Sequence, residues 1–414
     1  MAGLRFISII LVLCFYAHPS LATPDLKLVQ VLFAHKLYAP WKDDAETNET
    51  SIPETLSYES FISATMNIPV NAEFDMYNFG TYLRQVYNEF LGDTYTDNIM
   101  RTRTAENTLS ILSAQLVNAG LWPPKENQMW IEGLNWQPIP FDYVKLEEDT
   151  LLVGSLCPNF VSQMNQVLQT TETQKILMQY QSLFDYLSKV TERNISTPSD
   201  IALLYATLET MADRNEMLPN WAIDLFPDGV MYNVTLLEYD LLSASLLQKQ
   251  LNGGTFLKEI IGNSLKYITD DIPKERKIML YSGNVRNIVG VLKNLDLWSP
   301  HVPNEAVALI FELYFDNNTN TYGMKINYYI NEDVIVLSLP NCTKICPLQT
   351  LINATFDLIP ENSQSLCRWS ESLSETKNPK ETNESNSSYN GSISYHNKNL
   401  IFVLMLLFFA VLPF

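Results

Sequence analysis

The stretch Leu28 to Pro40, LVQVLFAHKLYAP, constrains the fold more than any other part of the chain. Val29 to Phe33 is apolar throughout apart from Gln30, so a strand built from it needs cover on both faces. The run ends at His35 and a loop carrying Pro40. A buried strand opening into a loop at its C-terminal end is where parallel α/β sheets keep their functional side chains. A second unit of this kind lies far along the chain. Lys277 to Tyr281, KIMLY, is followed by the turn SGN and then by RNIVGVLKNL, which has helical spacing.

Helical periodicity spans Tyr77 to Leu91 and Leu109 to Leu121, the latter halted by the sequence WPP. From Cys157 to Arg193, Asp200 to Glu216 and Leu236 to Lys266 the chain reads as helix, so an all-helical insertion sits between the two strand–loop–helix units. Ala306 to Phe315, Met324 to Ile330 and Val334 to Leu339 read as late strands. The turns DNNTNTYG and NED divide them, which predicts antiparallel pairing.

The 414 residues carry 27 basic and 46 acidic side chains, a net charge of −19 that repels phosphate backbones and argues against nucleic-acid binding. Arg5 precedes an apolar run, Phe6 to Tyr16, and HPSLA, so residues 1–22 read as a signal peptide cut after Ala22. The run is too short to span a bilayer. Asn48, Asn194, Asn233, Asn317, Asn341, Asn353, Asn383, Asn386 and Asn390 each open an Asn-x-Ser/Thr triplet, as expected of a secretory-pathway glycoprotein. Cys157, Cys342, Cys346 and Cys367 follow the signal segment. Four cysteines in an oxidising compartment suggest two disulfides with three connectivities; in one, Cys342 and Cys346 close a small loop and Cys157 reaches Cys367. A zinc site is the weaker alternative, since neither His301 nor His396 has ligand spacing, and no metal or cofactor is expected.

Residues 373–399 are polar and sequon-rich and read as a disordered, glycosylated stalk. The apolar tail Leu400 to Phe414 is short for a span and has no basic residues after it. Together with the small residues Asn390, Gly391 and Ser392 and a spacer of about seven residues, it matches a glycolipid-anchor signal. A tail-type transmembrane segment is the alternative, and if Asn390 is the anchor site it is not a glycan site.

The loop FAHKLYAP resembles the Arg-His-Gly-x-Arg-x-Pro signature of the histidine acid phosphatases. FGTYLRQVYNEFL resembles that family's first helix. RTAENTLSILSAQLVNAGLWPP resembles its Arg-Ser-Thr-Asp-x-x-Arg helix with the Pro-Pro stop. WQPIP at Trp136, LPNWA at Leu218 and VALIFEL at Val307 follow in the family's order. The resemblance runs from about Leu26 to Cys367 and points towards the secreted, lysosomal and venom enzymes. It implies an α/β domain over residues 23–372: a mainly parallel sheet flanked by helices, the phosphoglycerate mutase-like or histidine phosphatase fold, with a helical cap inserted over roughly residues 150–250. It also implies a phosphate-ester ligand and a homodimer.

In that family a histidine attacks phosphorus, three arginines clamp the phosphate oxygens, and a His-Asp pair protonates the leaving group. Carried over, His35 stands at the nucleophile and Arg103 at the third arginine. The other positions are degenerate. Ala34 and Tyr38 replace the two signature arginines, Lys36 the glycine, Leu109 a further arginine, and Asn284 with Val285 the His-Asp pair. Losing one transition-state donor costs about 10²–10³ in rate, and losing a general acid about 10²–10⁴. The resemblance therefore implies a pseudo-phosphatase, with Lys36 and Arg286 read as solvated charges on loops. A low-activity acid phosphatase working through His35 and an adhesive surface glycoprotein are the competing functions. The compartment is the extracellular space or cell surface, with lysosome and secretion as alternatives.

Overall fold

The computed structural model describes residues 23–39, 52–53, 56–63, 70–125, 127–303 and 306–368. The signal segment 1–22, Pro40, Asn48, Asn383, Asn386, Asn390, the stalk 373–399 and the tail 400–414 lie outside the described residues. Within them, no helix is long and apolar enough to cross a membrane.

Eight strands form one sheet: β1 (Asp25–Ala34), β2 (Met100–Ala105), β3 (Asp142–Val144), β4 (Ile278–Ser282), β5 (Val307–Asp316), β6 (Thr321–Ile330), β7 (Asp333–Leu337) and β8 (Cys346–Pro347). Their spatial order is β3-β2-β4-β1-β5-β6-β7, with β8 on β6. The half from β3 to β1 is parallel and the half beyond β1 is antiparallel, so the late strands pair as their turns predict.

β1 lies at the centre because both of its faces are apolar. Val29, Val31 and Phe33 pack with Phe79, Leu83 and Val117 on one side. Leu28 and Leu32 pack with Phe256, Ile260 and Ile288 on the other. Gln30 is tolerated there because its amide is fully engaged. Nε2 donates to the Ile260 carbonyl at 3.0 Å and to Ser264 Oγ at 3.2 Å, and Oε1 accepts from Asn263 at 3.1 Å.

The helices Val70–Val86 and Thr108–Leu121 meet at their backbones. A Cβ on Gly120 would lie 2.2 Å from the Tyr77 carbonyl oxygen, and one on Gly80 would lie 2.2 Å from that of Val117. This close approach fixes the helix that begins just after Arg103.

Between β3 and β4 the chain is helical, with a core of its own around Phe184, Leu187, Leu204, Leu208 and Met231. One expected helix is divided here. The stretch read as continuous from Leu236 to Lys266 ends at Leu241, restarts behind a Ser245–Gln248 capping box, and breaks again before the helix Thr255–Ile268. Asn252 and Gly253 leave helical geometry, Gly253 at φ +111°, a value glycine adopts freely. The break lets residue 253 press against Gly290, where a Cβ would come within 2.6 Å of backbone. That contact seats the helix Val285–Asn294 at the end of β4.

Cys157 is bonded to Cys367 and Cys342 to Cys346, which selects one of the three connectivities. The first bond ties the start of the helix Pro158–Leu168 to the helix Ser363–Cys367 across 210 residues. Asn194, Asn233, Asn317, Asn341 and Asn353 are all exposed, as a glycan acceptor must be.

Candidate active-site cleft

The C-terminal ends of β1 and β4 are neighbours in register, Phe33 opposite Ser282. The loops leaving them and the helical cap enclose a cavity of about 60 Å³ walled by, among others, His35, Lys36, Tyr58, Glu209, Glu238 and Arg286. Ala39 N donates to Thr210 Oγ1 of the cap helix Pro198–Asp213 at 3.0 Å, tying the His35 loop to the cap.

His35 is buried, 6% exposed. Its Nδ1 lies 2.6 Å from the Lys36 carbonyl oxygen. A carbonyl only accepts, so Nδ1 carries the proton and Nε2 keeps its lone pair. No partner among the described residues meets Nε2. Burial lowers the ring's pKa to about 4, against the opposing pull of the carbonyl, so the imidazole is neutral at physiological pH.

Among the described residues, Lys36, Arg286 and Arg103 each have a carboxylate partner. Lys36 Nζ is 2.6 Å from Asp213 Oδ2. Arg286 Nη2 is 3.0 Å from Glu238 Oε1, and its guanidinium lies over the Tyr58 ring, 3.5 Å from the centroid. Arg103 Nη2 is 2.8 Å from Asp149 Oδ2, with Nη1 donating to the Thr104 carbonyl. Asp149 is held in place by the amides of Leu151 and Leu152, both 3.1 Å from its Oδ1. Arg103 is not among the residues walling the cavity.

The expectation that Lys36 and Arg286 are solvated loop charges is therefore corrected. Their side chains are 10% and 11% exposed, and Arg286 sits in the first turn of a helix. The acidic partners Asp149, Asp213 and Glu238 were missed by sequence reasoning. A faint signal existed for the pair Glu209 and Asp213, which stand four apart on one helix face. Burial raises the Glu209 pKa to about 7; Lys36 opposes the rise and Asp213 adds to it.

The degenerate positions are filled by a consistent set of other contacts. Tyr38 and Leu109, at two of the arginine positions, pack together with Ala72 in a small apolar cluster. Ala34 is fully buried at the end of β1. The Asn284 side chain caps the helix Val285–Asn294, accepting from Asn287 N, while its Nδ2 donates to the Leu152 carbonyl at 2.9 Å. Val285, 8% exposed, has no proton to give.

The chain is similar to proteins of one family along most of its length. The model of the histidine phosphatase superfamily (branch 2) matches residues 34–331. Venom acid phosphatase Acph-1 of Apis mellifera is 32% identical over 83% of this chain and 88% of its own length. Prostatic acid phosphatase of Homo sapiens is 28% identical over 86% of this chain and 91% of its own. Among solved structures, the apo phytase of Hafnia alvei superposes with a TM-score of 0.57 at 15% identity, covering 83% of this chain and 98% of the phytase, a likeness of fold. A histidine-bearing loop after the central strand, a capped cleft above it, and a family match across most of the sheet and the cap lead to one conclusion: the chain belongs to the histidine phosphatase superfamily, branch 2.

Proposed function

We propose that this chain is a secretory-pathway glycoprotein of acid-phosphatase fold whose cleft binds a ligand or partner without turning over phosphate monoesters. The carrying observation is electrostatic. Lys36, Arg103 and Arg286 are each committed to a carboxylate within 3.0 Å. A phosphoryl dianion entering the cleft would have to break one of these pairs and strand the acid, at about 3–5 kcal/mol for a buried pair. Two further clamp positions are the apolar Leu109 and the packed Tyr38, and the leaving-group acid is Val285. The test is hydrolysis of p-nitrophenyl phosphate by purified protein across acidic pH. Turnover at least about 10⁴-fold below an active relative is expected from the missing donors and acid. A rate within tenfold of that relative overturns the proposal.

One observation favours the second reading, a low-activity phosphatase. The Nδ1 tether of His35 leaves Nε2 deprotonated and unpartnered, the state a nucleophile requires. Loss of a residual rate in His35→Ala would establish it.

A homodimer through β3 is part of the proposal. β3 is the last strand on its side of the sheet, and Trp130, Trp136, Tyr143 and Val144 are exposed around it. Sedimentation of Trp130→Asp against the native protein tests this. The glycolipid anchor at the C-terminal tail belongs to the proposal as well, and release from cells by a phosphatidylinositol-specific phospholipase is its test.

A further inference from the structure

Three buried polar atoms on residues walling the cavity have no partner among the described residues: His35 Nε2, Tyr58 Oη and Glu238 Oε2. His35 Nε2 is a pure acceptor, because the ring's one proton is engaged at Nδ1 with the Lys36 carbonyl. Glu238 Oε2 is the oxygen left over after Arg286 and Ser199 engage Oε1, at 3.0 and 2.5 Å. The Glu209 carboxyl adds further acceptor oxygens to the same wall. Tyr58 Oη can donate or accept, and the donors Lys36 and Arg286 on the same wall are paired with carboxylates, so two of the three unpartnered atoms, His35 Nε2 and Glu238 Oε2, are acceptors. A group made of donors meets its complement.

The charges point the same way. Lys36 and Arg286 are paired with Asp213 and Glu238, and Glu209 shares the field of Lys36 without an ion pair of its own among the described residues. A cation completes that balance. Among the described residues no cluster of His, Cys, Asp or Glu has the make-up of a metal site, which favours an organic cation. Leu37, Ile62 and Val285 add an apolar stretch to the wall. The space, about 60 Å³, holds a head group of a few heavy atoms rather than a large ligand.

We propose that the cleft binds a primary ammonium group on a short apolar stem, its three N–H donors taken by His35 Nε2 and the carboxylates of Glu209 and Glu238. This rests on the reading that the cleft binds without turnover, and it names the ligand class. The ammonium replaces the proton that Glu209 otherwise holds. Affinity therefore rises as pH passes through about 7, where Glu209 ionises. The groups facing Glu209 are Lys36 from the β1 loop, Asp213 and Tyr205 on its own helix, and Tyr239 from the helix Val230–Leu241. Of these, Lys36 and Asp213 are paired with each other, and burial pushes both tyrosines further above neutrality; burial also raises the pKa of the Glu238 carboxyl, against the opposing pull of Arg286.

The experiment is calorimetric titration of the mature protein with n-butylammonium and phenethylammonium chloride, with orthophosphate as comparison, and with Glu209→Gln as the variant. Glutamine is isosteric, and its melting temperature reports that the variant is folded. Saturable amine binding, weakened about tenfold or more in Glu209→Gln and about tenfold tighter at pH 8 than at pH 6 in the native protein, is the expected result. The idea is overturned by no saturable binding at millimolar amine, by equal affinity in Glu209→Gln, or by tighter binding of orthophosphate. The same samples are assayed for phosphomonoester hydrolysis. Hydrolysis refutes the parent reading, whereas inertness towards both esters and amines refutes only the ligand class.

Discussion

Replacing His35 with glutamine removes a titrating ring and leaves an amide in its place. In the folded protein burial holds the imidazole's pKa at about 4, against an ordinary 6.5. The unfolded chain takes up this proton near pH 6.5, and the folded chain resists until about 4. The stability that neutral His35 contributes is thus fully present above pH 6.5 and is lost as pH falls through about 4. At about 1.36 kcal/mol per pH unit the loss is roughly 3.4 kcal/mol. Glu209 has the opposite sign. Its pKa is raised from 4.5 to about 7, so its contribution is present below pH 4.5 and is lost as pH rises through about 7. Glu209 is only partly buried as a residue, and with screening allowed for its share is roughly 2 kcal/mol. Between pH 4.5 and 6.5 the two slopes oppose each other in the native protein. Differential scanning calorimetry from about pH 4 to about pH 8 separates them. His35→Gln melts at progressively lower temperature as pH rises through this window, and Glu209→Gln melts at progressively higher temperature, by several degrees each. If both variants keep the native profile, neither group is buried and uncompensated as described, and the electrostatic account of the cleft fails.

Three further outcomes are expected. Glu238→Gln leaves the Arg286 guanidinium charged over Tyr58 with its carboxylate gone, and costs about 3–5 kcal/mol in urea unfolding. Cys367→Ser opens a bond joining residues 210 apart and lowers stability by about 2–5 kcal/mol, read as a shift of the denaturation midpoint. Gly120→Ala forces a Cβ to within 2.2 Å of the Tyr77 carbonyl oxygen, and the helix pair must part, a loss of about 1–3 kcal/mol by the same measure.

Much of the fold was legible because its signals are local. The two-faced apolar run at Val29 to Phe33 demands a central strand, and the WPP stop after Leu121 ends a helix whatever surrounds it. The split of the helix expected from Leu236 to Lys266 was less visible. Apolar residues flank the break on both sides, Leu246, Leu247 and Leu251 before it and Phe256 and Leu257 after it, and the departure at Gly253 is fixed by its approach to Gly290, a residue 37 positions away (290 − 253). At the site, the losses at Ala34, Tyr38, Leu109, Asn284 and Val285 could be read position by position. What replaced them could not. Neither the packing of Tyr38 on Leu109 nor the pairing of Lys36 with Asp213 and of Arg286 with Glu238 has a short-range signature, because each joins segments that only the tertiary fold brings together. Lys36 and Arg286 therefore read as surface charges, when Arg286 is half of a buried pair and Lys36 half of a partly buried one.

The central claim is that, among the described residues, Lys36, Arg103 and Arg286 are held by carboxylates rather than free to hold a phosphoryl oxyanion. Titration of the purified protein with orthovanadate, followed by calorimetry, tests it without depending on the rate of any substrate. The account predicts no saturable heat up to millimolar vanadate. Saturable binding in the micromolar range that is lost in His35→Ala would show a working oxyanion site and contradict it.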